Sequence, residues 1–329
     1  MIILSAAEVR QALPMGEVIQ AMKAAYAALS NGQAELPLRT QLPVPTHEAV
    51  TLFMPVFLND AHGEALAVKV VSLFPHNISN GLPLIHAVVL VLEANTGKPY
   101  ALLEGSTLTA LRTGAASGAA TDLLARPDSQ VVAIFGAGVQ GRTQLEAVCT
   151  VRPIKTGWIF DSDLARAEGL VREMAGKDPI PPDLRIAESP AQAVANADVI
   201  CTATTSTTPV FSDKDLKPGV HINAVGAYTP HMQEIPPETV MRALLMVDSR
   251  SACLSEAGDL IQPIQKGFFT KGHIHAELGE IVSEKQPGRT SKAQITLFKS
   301  VGVAVQDAAA ARLALYNAQK LGLGQTISW

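Results

Sequence analysis

Residues 131–147 read VVAIFGAGVQGRTQLEA. The stretch opens with a short apolar, β-branched run that ends at Phe135, the signature of a buried strand. Gly136, Gly138 and Gly141 then fall in the spacing G-x-G-x-x-G. Leu145 and Val148 follow at helical spacing. A strand, a glycine turn and a helix in this order form the phosphate-binding corner of a doubly wound α/β domain. Its glycines serve a tight turn, close backbone approach to a pyrophosphate and close helix–strand packing. More than a third of the 329 residues lie before this corner, so the preceding third needs its own explanation.

Working outward, strand and helix signals alternate. GWIFD ends at Asp161, SDLARAEGLVREM has the pattern of a capped amphipathic helix, and SPAQAVANA leads into DVICTAT. GVHINAVG and ALLMVDS follow as further short apolar runs. This βαβ order predicts a Rossmann-type parallel sheet over residues 126–299. The first 125 residues differ. AVTLFMPVFL, ALAVKVVSLF and AVVLVLEANTGKPYALLEG read as strands, with a hairpin turn at NTG, between helices MGEVIQAMKAAYAALSNG and LTALRTGAASGAATDLLA. The chain closes on an Ala-rich helix in SVGVAVQDAAAARLALYNAQKLGLG, stopped by glycines. The expected organisation is a discontinuous α+β substrate and dimerisation domain, residues 1–125 with 300–329 packing back onto it. The cofactor domain is inserted.

Composition narrows the function. Hydrophobic residues make up 47% and charged residues 17% of the chain, and the net charge is −4. Such a chain can bury a large core but lacks the basic footprint of a nucleic-acid binder. No apolar run reaches the roughly 18 residues of a membrane span. Cys149, Cys201 and Cys253 are odd in number and form no CxxC, which fits inert thiols in a reducing cytoplasm. The His273/His275 pair has no second cluster near it in sequence, so no metal site is expected.

The cofactor reading rests on context. The amides of Val139, Gln140 and Gly141 open the helix and face the phosphates. Asp161 ends the next strand about 20 residues on, where an acid accepts from a ribose 2′-hydroxyl. A carboxylate there repels a 2′-phosphate, so NAD(H) is expected over NADP(H); the alternative for Asp161 is a helix N-cap. Thr202 and Thr204 end a later strand and are expected beside the ribose and nicotinamide, unless they form only a Thr-rich turn.

Three cations in the first domain have unusual neighbours. Arg39 lies between prolines, Lys69 inside an apolar strand, and Arg112 at an apolar helix start. Buried charge is costly unless paired. With few acids nearby in sequence, an anionic ligand explains them, since Arg suits a carboxylate and Lys adds a point charge. Pairing of Lys69 with an acid is the alternative.

Together LPLRTQ, AVKVVSLFPHN, LTALRTGAASGAAT, FGAGVQGRTQLEA, INAVGAYTPHMQEIP and TLFKSVGVAVQD resemble the ornithine cyclodeaminase/mu-crystallin family over nearly the whole chain. The resemblance implies NAD(P) binding, subunits that pair through their N-terminal domains, and a substrate carboxylate held by Arg39, Lys69 and Arg112. Thr113, Val225, Gly226, Lys299 and Ser300 fall within these motifs and are expected near the cofactor. Cyclodeaminases carry an Asp where this chain has Tyr228, and an acid just before the MP dipeptide, where Leu52 and Phe53 stand here. Both departures point away from a diamino acid. The expected reaction is reduction of a small cyclic ketimine, Δ1-pyrroline-2-carboxylate or Δ1-piperideine-2-carboxylate. Lys69, Arg112 and Tyr228 form its catalytic set, and His86 is a further substrate contact. The alternatives are an alanine-type L-amino-acid dehydrogenase, an ornithine cyclodeaminase and a non-catalytic NAD(P)H-binding protein.

Overall fold

The computed structural model describes residues 1–328, apart from the side chain of Ile78. The chain divides into two units, residues 1–112 with 303–329 and residues 113–302. Both boundaries differ from the sequence reading of 125/126 and 299/300. The first falls inside the helix Gly105–Leu124. A composition change marks the Pro127 turn that follows this helix, and nothing in composition marks a division within a continuous helix.

The first unit is built on a mixed sheet. Strands Ala49–Asp60, Gly63–Leu73, Ile85–Leu92 and Pro99–Glu104 run as an antiparallel meander, and Ile2–Leu4 joins parallel to the last of them. Alternation along these strands sorts the side chains by face. Met54, Val56, Leu58, Ala65, Ala67, Val71, Val89 and Leu103 are buried on one face. The helices Met15–Ser30 and Ala304–Leu321 pack on one another and on the strand Ala49–Asp60. Lys69 occupies a place in the same buried row, opposite Met54 and Val89. The terminal helix ends at Gly322, whose φ of 66° supplies the left-handed cap that a glycine adopts without strain.

The second unit is an eight-stranded sheet in which every pairing is parallel. Its central order is Thr156–Phe160, Val131–Phe135, Val199–Thr202, His221–Ala224, Thr296–Lys299 and Leu244–Val247. Val199, Ile200, Cys201, Ile222 and Leu245 are fully buried, as expected for a parallel sheet covered on both faces. The order reverses between Val131–Phe135 and Val199–Thr202. In open α/β sheets the ligand crevice lies at such a switch point, outside the carboxyl ends of the strands. No helix among the described residues is long and apolar enough to cross a membrane.

Candidate active site

In the first unit, Lys69 and Arg112 converge on a residue that the sequence reading overlooked. Asp307, in the first turn of the terminal helix, lies with Oδ2 2.8 Å from the Lys69 ammonium. Its Oδ1 accepts from Arg112 Nε at 3.0 Å. Arg112 Nη1 donates to Gln306 Oε1 at 3.0 Å, and Gln306 Nε2 donates to the Tyr26 hydroxyl at 2.7 Å. All five side chains are buried. The explanation for buried cations in terms of a ligand alone is therefore corrected: an internal acid pairs with two of them. One carboxylate does not balance the group, however. Burial is the largest influence on Lys69 and lowers its pKa to about 8; Asp307 opposes the shift, while Arg112 and Arg39 add to it. Arg112 Nη2 donates to none of the described residues. The cluster is thus held by internal partners and has more cations than acids, a balance that suits an anion.

His86 does not join this cluster. It stands opposite Ser72 in the sheet register, on the face away from Lys69, and is exposed. The expected substrate contact is corrected on that ground, since neighbouring strand positions of opposite parity face opposite ways. His76, in the segment before the strand Ile85–Leu92, is exposed as well and pairs with Glu48 at 3.1 Å.

In the second unit, the glycine turn has three distinct local reasons. Gly136 has φ of 93°, and a Cβ there would lie 2.5 Å from the Ala203 carbonyl. At Gly141 a Cβ would fall 1.9 Å from the Gly136 carbonyl. Gly138 differs: its φ is −78° and a Cβ would meet nothing within 4 Å. The protein itself gives no reason for a glycine there. An open backbone at the N-cap of Val139–Val151, with the first helix amides beyond it, fits a pyrophosphate. The residues present therefore suit a dinucleotide.

Asp161 accepts from Ala137 N at 2.7 Å and from Asp163 N at 2.9 Å, so its carboxylate sits against the glycine turn. The N-cap of the following helix is Asp163, which accepts from Ala165 N. Tyr228 is half-buried, and burial raises the pKa of its phenol, which keeps its proton.

Four expected cofactor side chains are used internally. Lys299 is fully buried and pairs with Asp259 at 2.9 Å, while Ser300 donates to Asp248 at 2.7 Å. Thr202 and Thr204 hydroxyls both donate to Glu234. Thr202, Lys299 and Ser300 are buried and take internal partners, as buried polar groups do, whereas Thr204 is only half-buried. Thr113 accepts at its carbonyl from Gln144, Val225 donates its amide to the Thr202 carbonyl, and Gly226 donates its amide to Glu234. No cluster of metal-ligating side chains occurs among the described residues.

Comparison with known proteins bears on this site. The model of the ornithine cyclodeaminase/mu-crystallin family matches residues 1–321. A Delta(1)-pyrroline-2-carboxylate reductase of Bacillus cereus is 40% identical over 334 residues, covering 100% of each chain. The Thermococcus litoralis Delta(1)-pyrroline-2-carboxylate reductase, solved with NADH and L-proline, matches with a TM-score of 0.95 and 43% identity. That match covers 99% of this chain and 100% of the other. An archaeal alanine dehydrogenase dimer with bound NAD matches with a TM-score of 0.92 and 30% identity, over 100% of this chain and 99% of that one.

Proposed function

The chain belongs to the ornithine cyclodeaminase/mu-crystallin family, and we propose that it is an NAD(P)H-dependent reductase of a small cyclic ketimine. The substrates are Δ1-pyrroline-2-carboxylate or Δ1-piperideine-2-carboxylate, and the products L-proline or L-pipecolate. The reading is carried by full-length likeness, at 43% identity, to a reductase solved with NADH and L-proline.

The residues present can do this work. Lys69 and Arg112, oriented by Asp307 and Gln306, bind the substrate carboxylate with help from Arg39. Holding the imine in one orientation lowers the barrier by several kcal/mol. A dinucleotide held at the glycine turn of Gly136, Gly138 and Gly141 would supply the hydride for C2 of the imine, with the C=N electron pair passing to nitrogen. The imine nitrogen is protonated on binding or from water, and Tyr228, whose phenol keeps its proton, is placed in the catalytic set as a hydrogen-bond donor. Tyr228 also disfavours cyclodeamination, because a phenol cannot replace the carboxylate that meets a substrate amine.

NAD(H) is the preferred cofactor in this reading, since Asp161 would repel a 2′-phosphate. The enzyme is a homodimer. Phe53, Pro55, Phe57, Leu66, Val68 and Val70 lie on the sheet face away from Lys69 and stay partly exposed, and an apolar sheet face of this kind fits a second copy. Three free, buried cysteines fit a cytoplasmic setting.

The test is NADH oxidation with each imine, with and without ammonia. Turnover without ammonia is expected. No oxidation with either imine sinks the proposal, and a strict ammonia requirement with a keto acid makes the protein an amino-acid dehydrogenase. Light scattering should give twice the monomer mass.

A further inference from the structure

Glu234 lies within the stretch INAVGAYTPHMQEIP, has no role assigned to it there, and is fully buried. It accepts from five donors: Thr202 Oγ1 at 2.9 Å, Thr204 N at 2.6 Å, Thr204 Oγ1 at 2.8 Å, Gly226 N at 2.8 Å and Ala227 N at 3.1 Å. These donors lie at the end of the strand Val199–Thr202 and on two loops, one leaving that strand and the other leaving His221–Ala224. The two strands are neighbours, and both loops emerge at their carboxyl ends. The carboxylate is tightly wrapped. A Cβ on Gly226 would lie 2.4 Å from Glu234 Oε1 and 2.3 Å from the Thr204 carbonyl.

The backbone that carries Glu234 is itself held. Asp259 Oδ1 accepts from the amides of Glu234 and Ile235 at 2.7 and 2.9 Å, and its other oxygen meets the Lys299 ammonium at 2.9 Å. Two acids and one base thus form a buried unit beneath the strand ends.

The strand order says which part of a dinucleotide these loops meet. Asp161 follows Thr156–Phe160, on one side of the glycine turn, and takes the adenosine ribose. The pyrophosphate sits at the turn. The nicotinamide half must then lie on the other side, over the loops that leave Val199–Thr202 and His221–Ala224. Gly136 abuts the first of these directly, since its Cβ would lie 2.5 Å from the Ala203 carbonyl.

We propose that Glu234 is a positioning residue for the nicotinamide half of the cofactor: by clamping the 203–204 and 226–227 loops with one carboxylate, it sets the surface on which that half rests. The proposal rests on the reductase reading and its NAD(P)H. Glu234 touches no solvent and acts only through the loops. An amide cannot replace it. In Glu234→Gln, either orientation of the new side chain would turn its NH2 against a backbone amide, Thr204 N at one oxygen position or Gly226 N and Ala227 N at the other. Hydroxyl donors can rotate to accept, whereas backbone N–H groups cannot.

The experiment compares two probes, NADH by its fluorescence and ADP-ribose by calorimetry, on wild-type protein and Glu234→Gln, without imine. Thermal unfolding checks the fold. Glu234→Gln should weaken NADH by about tenfold or more, because at least one buried donor loses its acceptor. ADP-ribose lacks the nicotinamide and should bind as to wild type. Glu234→Asp, which keeps the charge, should recover part of the NADH affinity. If Glu234→Gln fails to fold, Thr204→Ala, which removes one donor to the same oxygen, is read by the same pair of probes. Unchanged NADH affinity, or equal losses for both probes, overturns the proposal. A wild-type protein that binds neither probe overturns the cofactor reading itself.

Discussion

Lys69 and Lys299 are both buried lysines paired to one aspartate, yet their acidities move in opposite directions. Burial disfavours the ammonium in each case and is the largest influence on both. For Lys69 the neighbours do not overcome it, because Asp307 is offset by Arg112 and Arg39, and its pKa falls to about 8. For Lys299 the attraction of Asp259 and Glu234 prevails, and its pKa rises above the ordinary value. The residue type and its burial are the same, so the surrounding charge decides the outcome. A buried lysine among cations has charge to spare for a ligand. A buried lysine between two acids is consumed in holding its own domain together.

The comparison can be broken most sharply at Lys299. Lys299→Met leaves two buried acids without their base and should cost about 3–5 kcal/mol of stability, measured by urea unfolding. Adding Asp259→Leu should return part of that loss. A single variant as stable as wild type would remove the structural role assigned to Lys299. Next in size is Arg112→Ala, which should lower kcat/KM for the imine about a hundredfold, because the substrate carboxylate loses a fixed donor. The Kd for NADH should stay unchanged, and a parallel loss of NADH binding would contradict the split of roles.

A smaller and more diagnostic effect comes from pH. With the folded pKa of Lys69 at about 8, kcat/KM should decline as pH rises through that value, because the clamp loses a charge. Stability should respond in the opposite sense. A lysine whose folded pKa lies below its unfolded value of 10.5 burdens the fold while protonated. That burden is relieved between about 8 and 10.5, where the unfolded chain binds more protons. Lys69→Met should therefore flatten the difference in stability across this window. Smallest is Asp161→Ala, which should reduce the preference for NADH over NADPH by about tenfold, a change of about 1.4 kcal/mol, read from the two kcat/KM values.

Much of this was legible in the sequence. Gly136 and Gly141 announced a turn with no room for side chains, and strand order followed from short apolar runs. Lys69 and Arg112 stood out as cations in apolar surroundings. Asp307 carried the same signal, an acid in the Ala-rich run VAVQDAAAARLAL, and the reasoning applied to the lysine would have found it. Glu234 lies in one of the family motifs but had no such signal of its own: HMQEIP looks like an ordinary loop, and nothing local says that it folds back under two strand ends. Alternation placed Lys69 in the buried row, but only the strand register shows that His86 faces the other way.

The sequence by itself determined the kind of fold and the two chemical ingredients, a phosphate turn and a set of buried cations. These are properties of short stretches: periodicity, backbone freedom at glycine, and the cost of charge in apolar company. The tertiary structure alone decided which charges meet. Arg112 and Asp307 are 195 residues apart in the chain yet 3.0 Å apart in space. Coulomb energy depends on distance through space and on the exclusion of water, neither of which is written along the chain.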